Sequence, residues 1–394
     1  MGIFGKPNIE KQKEKKNTKG LIRSLKSRDI DIRIQAIKAL EEIKDIKAVK
    51  ALINTLYDEN KKVRLRAANA LSYLGWESEN EEERIVFLMA KKNWDDLIKT
   101  PVDYLIKTLI HLKKSNVSQD YLMDFLIYLI AIVVKIGKPS VPKLIAYLQD
   151  KSSHFHLIAS AAIGIIGDIQ SVRPLMKIFK DKTLDEPYRR IIGLAFLLMG
   201  EQVIESLLDV IKDKDSDNFS QIISAQILGF IGKAAVKDLI NGISDKRWEV
   251  RLSCALALSC IGDKDSIEAL QSLKEDLNND LRQFVNFYLQ KIETPSFDSF
   301  ISLLYEDDPT YRSIAVLLLG NLEDPLSIEP LYHSARFDKN DTVKDLAHLS
   351  IGKIIGNPAA KNILIESLSN KEIEVRLTSA IVLLRAGESI LKIY

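Results

Sequence analysis

The chain has 394 residues, 46% of them apolar and 28% charged, and 56 basic against 54 acidic side chains leave a formal charge of +2. That balance leaves no global field to draw the molecule onto nucleic acid or an anionic membrane. Its two cysteines, Cys254 and Cys260, lie six apart on one predicted helix and point in different directions, so they are not expected to pair; unstapled thiols suit a reducing cytoplasm.

The first 30 residues are basic: Lys6, Lys11, Lys13, Lys15, Lys16, Lys19, Arg23, Lys26 and Arg28 face only Glu10, Glu14 and Asp29. This segment reads as a solvated cap on the first repeat, the other reading being a contact with an acidic partner or membrane surface. It has no apolar targeting core, and Lys6 stands where an N-myristoylation signal needs Ser or Thr. The longest apolar run, FLIYLIAIVV at 125–134, is too short to cross a bilayer, so no membrane span is expected.

From residue 31 one unit recurs. VRLRAANALSYLG at 63 returns as VRLSCALALSCIG at 250 and VRLTSAIVLLRAG at 375, and weaker copies start at 32, 125, 155, 188, 220, 281, 311 and 344. Starts fall 30 to 33 residues apart, apart from a gap of 62 between 63 and 125. A period of this size means a solenoid. In the copy at 63, Val63, Ala67, Leu71 and Leu74 share one helical stripe, and Gly75 ends the helix. A second amphipathic stretch precedes each copy, such as AVKALINTLYD before 63. Each unit is therefore predicted to be a helix A, a polar turn and a helix B, with Pro142, Pro174, Pro187, Pro309, Pro330 and Pro358 in first turns or at starts, where a missing N–H costs least.

An acid closing helix A recurs six residues before the base opening helix B: Asp58 with Arg64, Asp245 with Arg251, Asp276 with Arg282, Glu306 with Arg312, Asp338 with Lys344. The turn is expected to hold each pair together, and each Arg can also reach the next repeat, giving a structural ladder. It drifts to Ser27 with Arg33 and Asn370 with Arg376 at the ends.

Opposite the core stripe, the B helices are polar early (Gln35, Asn69), apolar through the middle, and polar again at Thr378 and Arg385. The apolar positions are Ile158, Ile191, Leu194, Leu198, Phe230, Leu256, Phe284, Phe287, Ile314 and Leu317, and they are the candidate partner-binding residues. A stripe this long should be covered by a partner, by coiling or by self-association. If exposed, Leu194, Leu256 and Phe287 should accept Asp without loss of fold.

The A helix, Asp turn, Val-Arg, Ala-rich B helix and G-x-[IL]-G ending, as in Gly164–Gly167 and Gly229–Gly232, resemble HEAT repeats of the phycobilisome-lyase type over about 30–394. Residues 75–99, with Trp76 after the Gly, an acidic loop and a helix bearing Trp94, resemble an insertion found in some of these proteins and account for the long gap. The resemblance implies an all-α fold, an α-α superhelix: a right-handed solenoid of about eleven HEAT-like helix pairs. Its parts are a basic cap over 1–30, repeats over 31–75, an insertion helix over 76–100 and repeats over 101–394, in one continuous stack.

The HEAT-repeat enzyme deoxyhypusine hydroxylase holds two irons with His-Glu pairs; none of His111, His154, His156, His333 and His348 is followed by Glu. No nucleotide, nucleophile-elbow or Cys-x-x-Cys motif occurs. Lys246-Arg247-Trp248 could stack a base, though one such cluster reads more simply as packing. The expected function is a non-catalytic scaffold, without cofactor or metal, whose concave face receives a helix or extended segment of another protein. The resemblance also implies an alternative, a phycobilin-lyase-like accessory protein acting on a tetrapyrrole-bearing partner.

Overall fold

The computed structural model describes residues 8–115, 117–150, 155–292 and 296–393; Lys6 and His154 lie outside them. The described residues form helices and no strands. They divide into two compact units, one up to Ile136 and one from Gly137 onward.

The first unit contains α1 (Ile9–Glu14), α2 (Thr18–Ser24), α3 (Ile30–Ile43), α4 (Val49–Thr55), α5 (Lys61–Tyr73), α6 (Glu81–Lys91), α7 (Trp94–Ile98), α8 (Val102–Lys114) and α9 (Gln119–Ile136). The second contains α10 (Val141–Gln149), α11 (His156–Ile166), α12 (Val172–Phe179), α13 (Glu186–Met199), α14 (Ile204–Lys212), α15 (Asn218–Ile231), α16 (Val236–Gly242), α17 (Trp248–Ile261) and α18 (Lys264–Gln271). It continues through α19 (Asn279–Lys291), α20 (Phe297–Leu303), α21 (Pro309–Leu322), α22 (Ile328–Phe337), α23 (Asp341–Ile351), α24 (Pro358–Ser367), α25 (Ile373–Arg385) and α26 (Ile390–Ile393).

Two short polar side chains build the turn between A and B helices. In Asp58-Glu59-Asn60 the Asp58 carboxylate accepts the Asn60 N–H, and Asn60 in turn caps α5 by accepting from Lys62 and Val63. Asp276 with Asn278 and Asp338 with Asn340 repeat the device ahead of α19 and α23. Each cap satisfies an N–H that the helix cannot, worth about 1 kcal/mol. At the other end the last glycine of the motif enters the left-handed region, as Gly262 does with φ 65°, and stops the B helix. The first glycine serves packing: a Cβ on Gly229 would strike the Cys260 side chain, so α15 and α17 approach as closely as two backbones can.

In the first unit α1 and α2 cap the stack, and their Ile9, Leu21 and Leu25 join the same buried core as Ile37, Leu52 and Leu71. The insertion is two helices, α6 and α7, packed on α5, α8 and α9. Trp76 meets Phe87 edge-on at 5.3 Å, and Trp94 lies 4.9 Å from Tyr128, so both indoles hold the insertion down. Leu71 has no solvent exposure. Leu71→Ala is therefore expected to cost about 2 to 5 kcal/mol by denaturant unfolding, with hydrogen exchange accelerated first in α3 to α5.

In the second unit the B helices close on themselves. Contacts run from α11 to α13, α15, α17, α21, α23 and α25, and α25 returns to α11. Helix α19 is left out of this ring because α17 packs directly on α21, where the Leu318 side chain occupies the space a Cβ on Gly262 would need. One stretch, Glu186–Lys212, is long and apolar enough to cross a membrane, contrary to the expectation from run length. It is the pair α13 and α14 joined by a turn at Gly200–Val203, with 56% of its apolar window buried inside the protein, the pattern of core helices.

Candidate functional site

The closed ring decides the fate of the apolar stripe. Ile158, Leu198, Phe230, Leu256, Ile314 and Leu317 are all buried, Ile314, Leu317 and Phe230 to within 1%. They are packed inside the unit and form no open concave groove, which corrects the expectation for these six. The reason is curvature: successive B helices turn far enough for their inner faces to meet, so the stripe serves as a second core. Ile191, Leu194, Phe284 and Phe287 remain half-buried.

Polar side chains thread the same interior. The Asn321 amide donates to Gly229 O at 3.0 Å and Cys260 O at 2.9 Å, joining α21 to the C-terminal ends of α15 and α17. Lys353 Nζ donates to Phe230 O and to Asn321 Oδ1. It also stands 4.5 Å from the Phe230 ring centroid, with the Arg385 guanidinium at 5.3 Å from that ring. Burial pushes the Lys353 ammonium down to about 8, Arg385 adds repulsion, and Glu323 opposes both. The sequence reading had Arg385 on this face and missed Lys353, which sits beyond the B helix in a short 3-10 turn.

Where α19 is excluded from the ring, aromatic surface stays open. Phe284 stacks on Tyr311 at 6.1 Å and Phe287 meets Tyr311 at 4.5 Å. With Asp280, Arg282, Gln283, Asn286 and Gln290 they line an open cleft of about 640 Å³. Gln283 and Gln290 are exposed and lie about two turns apart on the same helix. An aromatic wall beside amides can hold apolar side chains while bonding a peptide backbone. Phe284 and Phe287 were legible as candidates; Tyr311 was not, because it stands at the Val63 position of its copy, which the pattern assigns to the core stripe.

The charge ladder exists with a different pairing. Arg64, Arg251, Arg282 and Arg312 each donate to the backbone carbonyl of the acid six residues earlier, Asp58, Asp245, Asp276 and Glu306, at 2.9, 3.0, 2.5 and 2.9 Å. The carboxylates themselves pair with the Arg of the preceding repeat: Arg33 with Asp58 at 3.0 Å, Arg251 with Asp276 at 2.7 Å and Arg312 with Asp338 at 2.9 Å. One guanidinium thus ties its own turn and the next together, which is geometry that Arg provides and Lys does not. Lys344 accordingly pairs, among the described residues, with Asp341 at 3.5 Å. Asp245 pairs with Arg247 because the preceding repeat carries Gln221 in place of Arg, and Glu306 pairs with Lys291. Arg64 reaches Asp124 at 2.5 Å, bridging the inserted helices. Arg189 is the most enclosed of the set, bonding Asp217 through both nitrogens at 2.7 Å, Ser220, and Phe179 O at 2.8 Å.

Cys254 and Cys260 are free and buried, and burial pushes both thiols up to about 12, so they are poor nucleophiles. Trp248 is the half-buried first residue of α17. Among the described residues no group of three or more His, Cys, Asp or Glu side chains is placed to hold a metal ion.

A family model for HEAT repeats matches residues 18–102, 199–286 and 297–385. The chain belongs to the HEAT-repeat family. Among curated proteins, none matches it. Solved structures similar to this HEAT-repeat chain include human deoxyhypusine hydroxylase, 15% identical, covering 88% of this chain and 99% of that one with a TM-score of 0.30. Kap121p bound to Ste12p is 11% identical and covers 93% of this chain and 45% of that one, with a TM-score of 0.31. An engineered protein is 16% identical over 94% of this chain and 99% of that one, TM-score 0.23. Identities and TM-scores this low carry no residue role across.

Proposed function

We propose that this HEAT-repeat protein is a non-catalytic scaffold that takes an extended segment of another protein into the cleft formed by Phe284, Phe287 and Tyr311. The observation that carries the reading is selective exposure. The ring buries six of the ten candidate positions, while α19, excluded from the ring, presents two phenylalanines beside exposed amides. Half-exposed aromatics at the centre of a cleft are the side chains that usually dominate an interface. Membership of the HEAT-repeat family supports a binding role.

A photo-crosslinking phenylalanine analogue at position 287 is expected to join one discrete segment of a partner, identified by mass spectrometry of the cross-linked peptide from native cells. The same probe at exposed Gln35 is expected to capture nothing comparable. Phe284→Ser with Phe287→Ser should then weaken the identified complex by about 30-fold or more, with far-UV circular dichroism unchanged. Undiminished affinity in that variant would move the binding surface elsewhere. Cross-links solely to a second copy of this chain would replace the foreign partner by self-association.

A further inference from the structure

The scaffold reading leaves the charge of the first unit unused. Residues 8–28 and 44–57, which hold α1, α2 and α4, carry eleven bases against three acids, Glu10, Glu14 and Asp45, whereas acids outnumber bases in the rest of the chain. A cap needed only for solubility could take either sign, and a local sign opposite to that of the remaining chain points to an anionic counterpart. The repeat places these bases side by side. Leu21 and Leu52, 31 residues apart, are equivalent core residues without exposure, and by the same step Lys16 corresponds to Lys47 and Lys19 to Lys50. Helix α2 packs on the 3-10 turn Ile46–Ala48 that leads into α4, and the Thr18 hydroxyl donates to the Asp45 carboxylate at 2.6 Å, joining the two helix starts. Lys19, Arg23 and Lys26 follow one another at i, i+4 and i+7, one outward stripe of α2 and the turn that ends it. Lys16, Lys19, Arg23, Lys26, Lys47 and Lys50 are all exposed, and none is in an ion pair among the described residues.

Nearby negative charge is mostly spent elsewhere. Glu10 and Glu42 pair with Lys13, Glu41 with Arg66, and Asp58 and Glu59 with Arg33. Asp45 attracts Lys47 and offsets it. Glu82 and Glu83 of the insertion act on Tyr57, past the far end of α4, roughly 10 Å of helix rise from Lys50 and about one Debye length away. The C-terminal ends of α1 and α3 lead into the N-terminal ends of α2 and α4, so the helix dipoles offset one another and the side chains set the sign.

Three features select the counterpart. Residues 8–56 contain no aromatic side chain on which a base could stack. Nine of the eleven bases are lysines, which lack the planar fork that grips a phosphodiester or a carboxylate in fixed geometry. Ile46, in the turn between the two rows of bases, is 78% exposed. An aliphatic side chain among long-stemmed ammonium groups suits a bilayer interface, where the one enters the acyl boundary and the others reach the headgroups. We propose that the outer surface of α2, the turn 46–48 and the start of α4 docks onto an anionic lipid bilayer, with the six bases on the headgroups and Ile46 inserted among them.

The test is co-sedimentation of the full chain with vesicles of about 30% phosphatidylserine in phosphatidylcholine, beside vesicles of phosphatidylcholine alone. A labelled DNA duplex, a single-stranded RNA and polyglutamate are titrated at the same salt and matched negative charge. The chain is expected to sediment with the anionic vesicles and not with the neutral ones, and to be released as sodium chloride rises from about 0.1 M to about 1 M. Each base at an anionic surface is worth about fivefold in affinity, so Lys16→Gln, Lys19→Gln, Lys47→Gln and Lys50→Gln together should weaken binding by about 100-fold or more, with far-UV circular dichroism unchanged. Ile46→Ser should weaken it by about 5- to 10-fold and leave the salt dependence as it is. Equal sedimentation with neutral vesicles, undiminished binding in the four-lysine variant or in Ile46→Ser, or tighter binding to any of the three polymers would each overturn the assignment.

Discussion

Arg189→Ala is expected to cost about 3 to 5 kcal/mol of stability by denaturant unfolding, far more than removal of the more exposed Lys344 of the same ladder. Arg189 is 2% exposed, and its loss takes a donor from the Ser220 hydroxyl and the Phe179 carbonyl and leaves the Asp217 carboxylate with its cap bond from the Ser220 N–H but without its cation. Arg189 also holds the Asp217 carboxyl well below the usual carboxylate range, outweighing the burial that would raise it. A depressed folded-state pKa contributes stability that is fully present above the unfolded value, about 3.9, and is lost as pH falls toward the folded one. The gap between parent and Arg189→Ala is therefore expected to stay constant above about pH 5 and to narrow below about pH 4. Asp276, held down in the same way by Arg251, adds to the acid sensitivity of the parent in that range. A gap independent of pH would mean that Asp217 is not the partner whose charge matters.

Leu256→Asp should unfold the second unit. On the exposed groove expected from sequence this change was harmless; in the ring, Leu256 is 8% exposed on α17, which packs on both α15 and α21. Loss of the buried side chain alone costs about 2 to 5 kcal/mol, and an unpaired carboxylate in that setting adds to it. The expected outcome is loss of the cooperative melt of residues 137–394 with the first unit still helical, read by hydrogen exchange resolved along the chain. Phe287→Asp, at the open cleft on α19, is the contrasting change and should leave that melt nearly intact. If the two substitutions behave alike, the ring does not close in solution.

The repeat made much of this protein legible. The spacing of Val63, Ala67 and Leu71 fixed the helix face that is buried, and Gly262 fixed where a B helix ends, because both follow from local geometry of one helix. The acids and bases of the ladder were found by spacing as well. Each Arg was expected to hold its own turn and to reach the next repeat, and Arg251 does both; that its own turn is held through the Asp245 carbonyl and the ion pair goes to Asp276 is decided by the stacking distance. The Asp-x-Asn turn was readable in Asp58 and Asn60 and passed unremarked, because the Asn is the cap and the charged neighbour drew the pattern.

The sequence by itself determined the helix pair, its repetition and the family, because each is set by residues within about 30 positions of one another. Whether the face opposite the core lines a groove or fills an interior depends on the small angle between neighbouring pairs, summed over many repeats. That sum brings Lys353 beside Phe230, 123 residues away, and leaves α19 outside the ring. No local pattern encodes it. Only the tertiary structure could turn an apolar stripe into a second core and leave Phe284 and Phe287 as its open remainder.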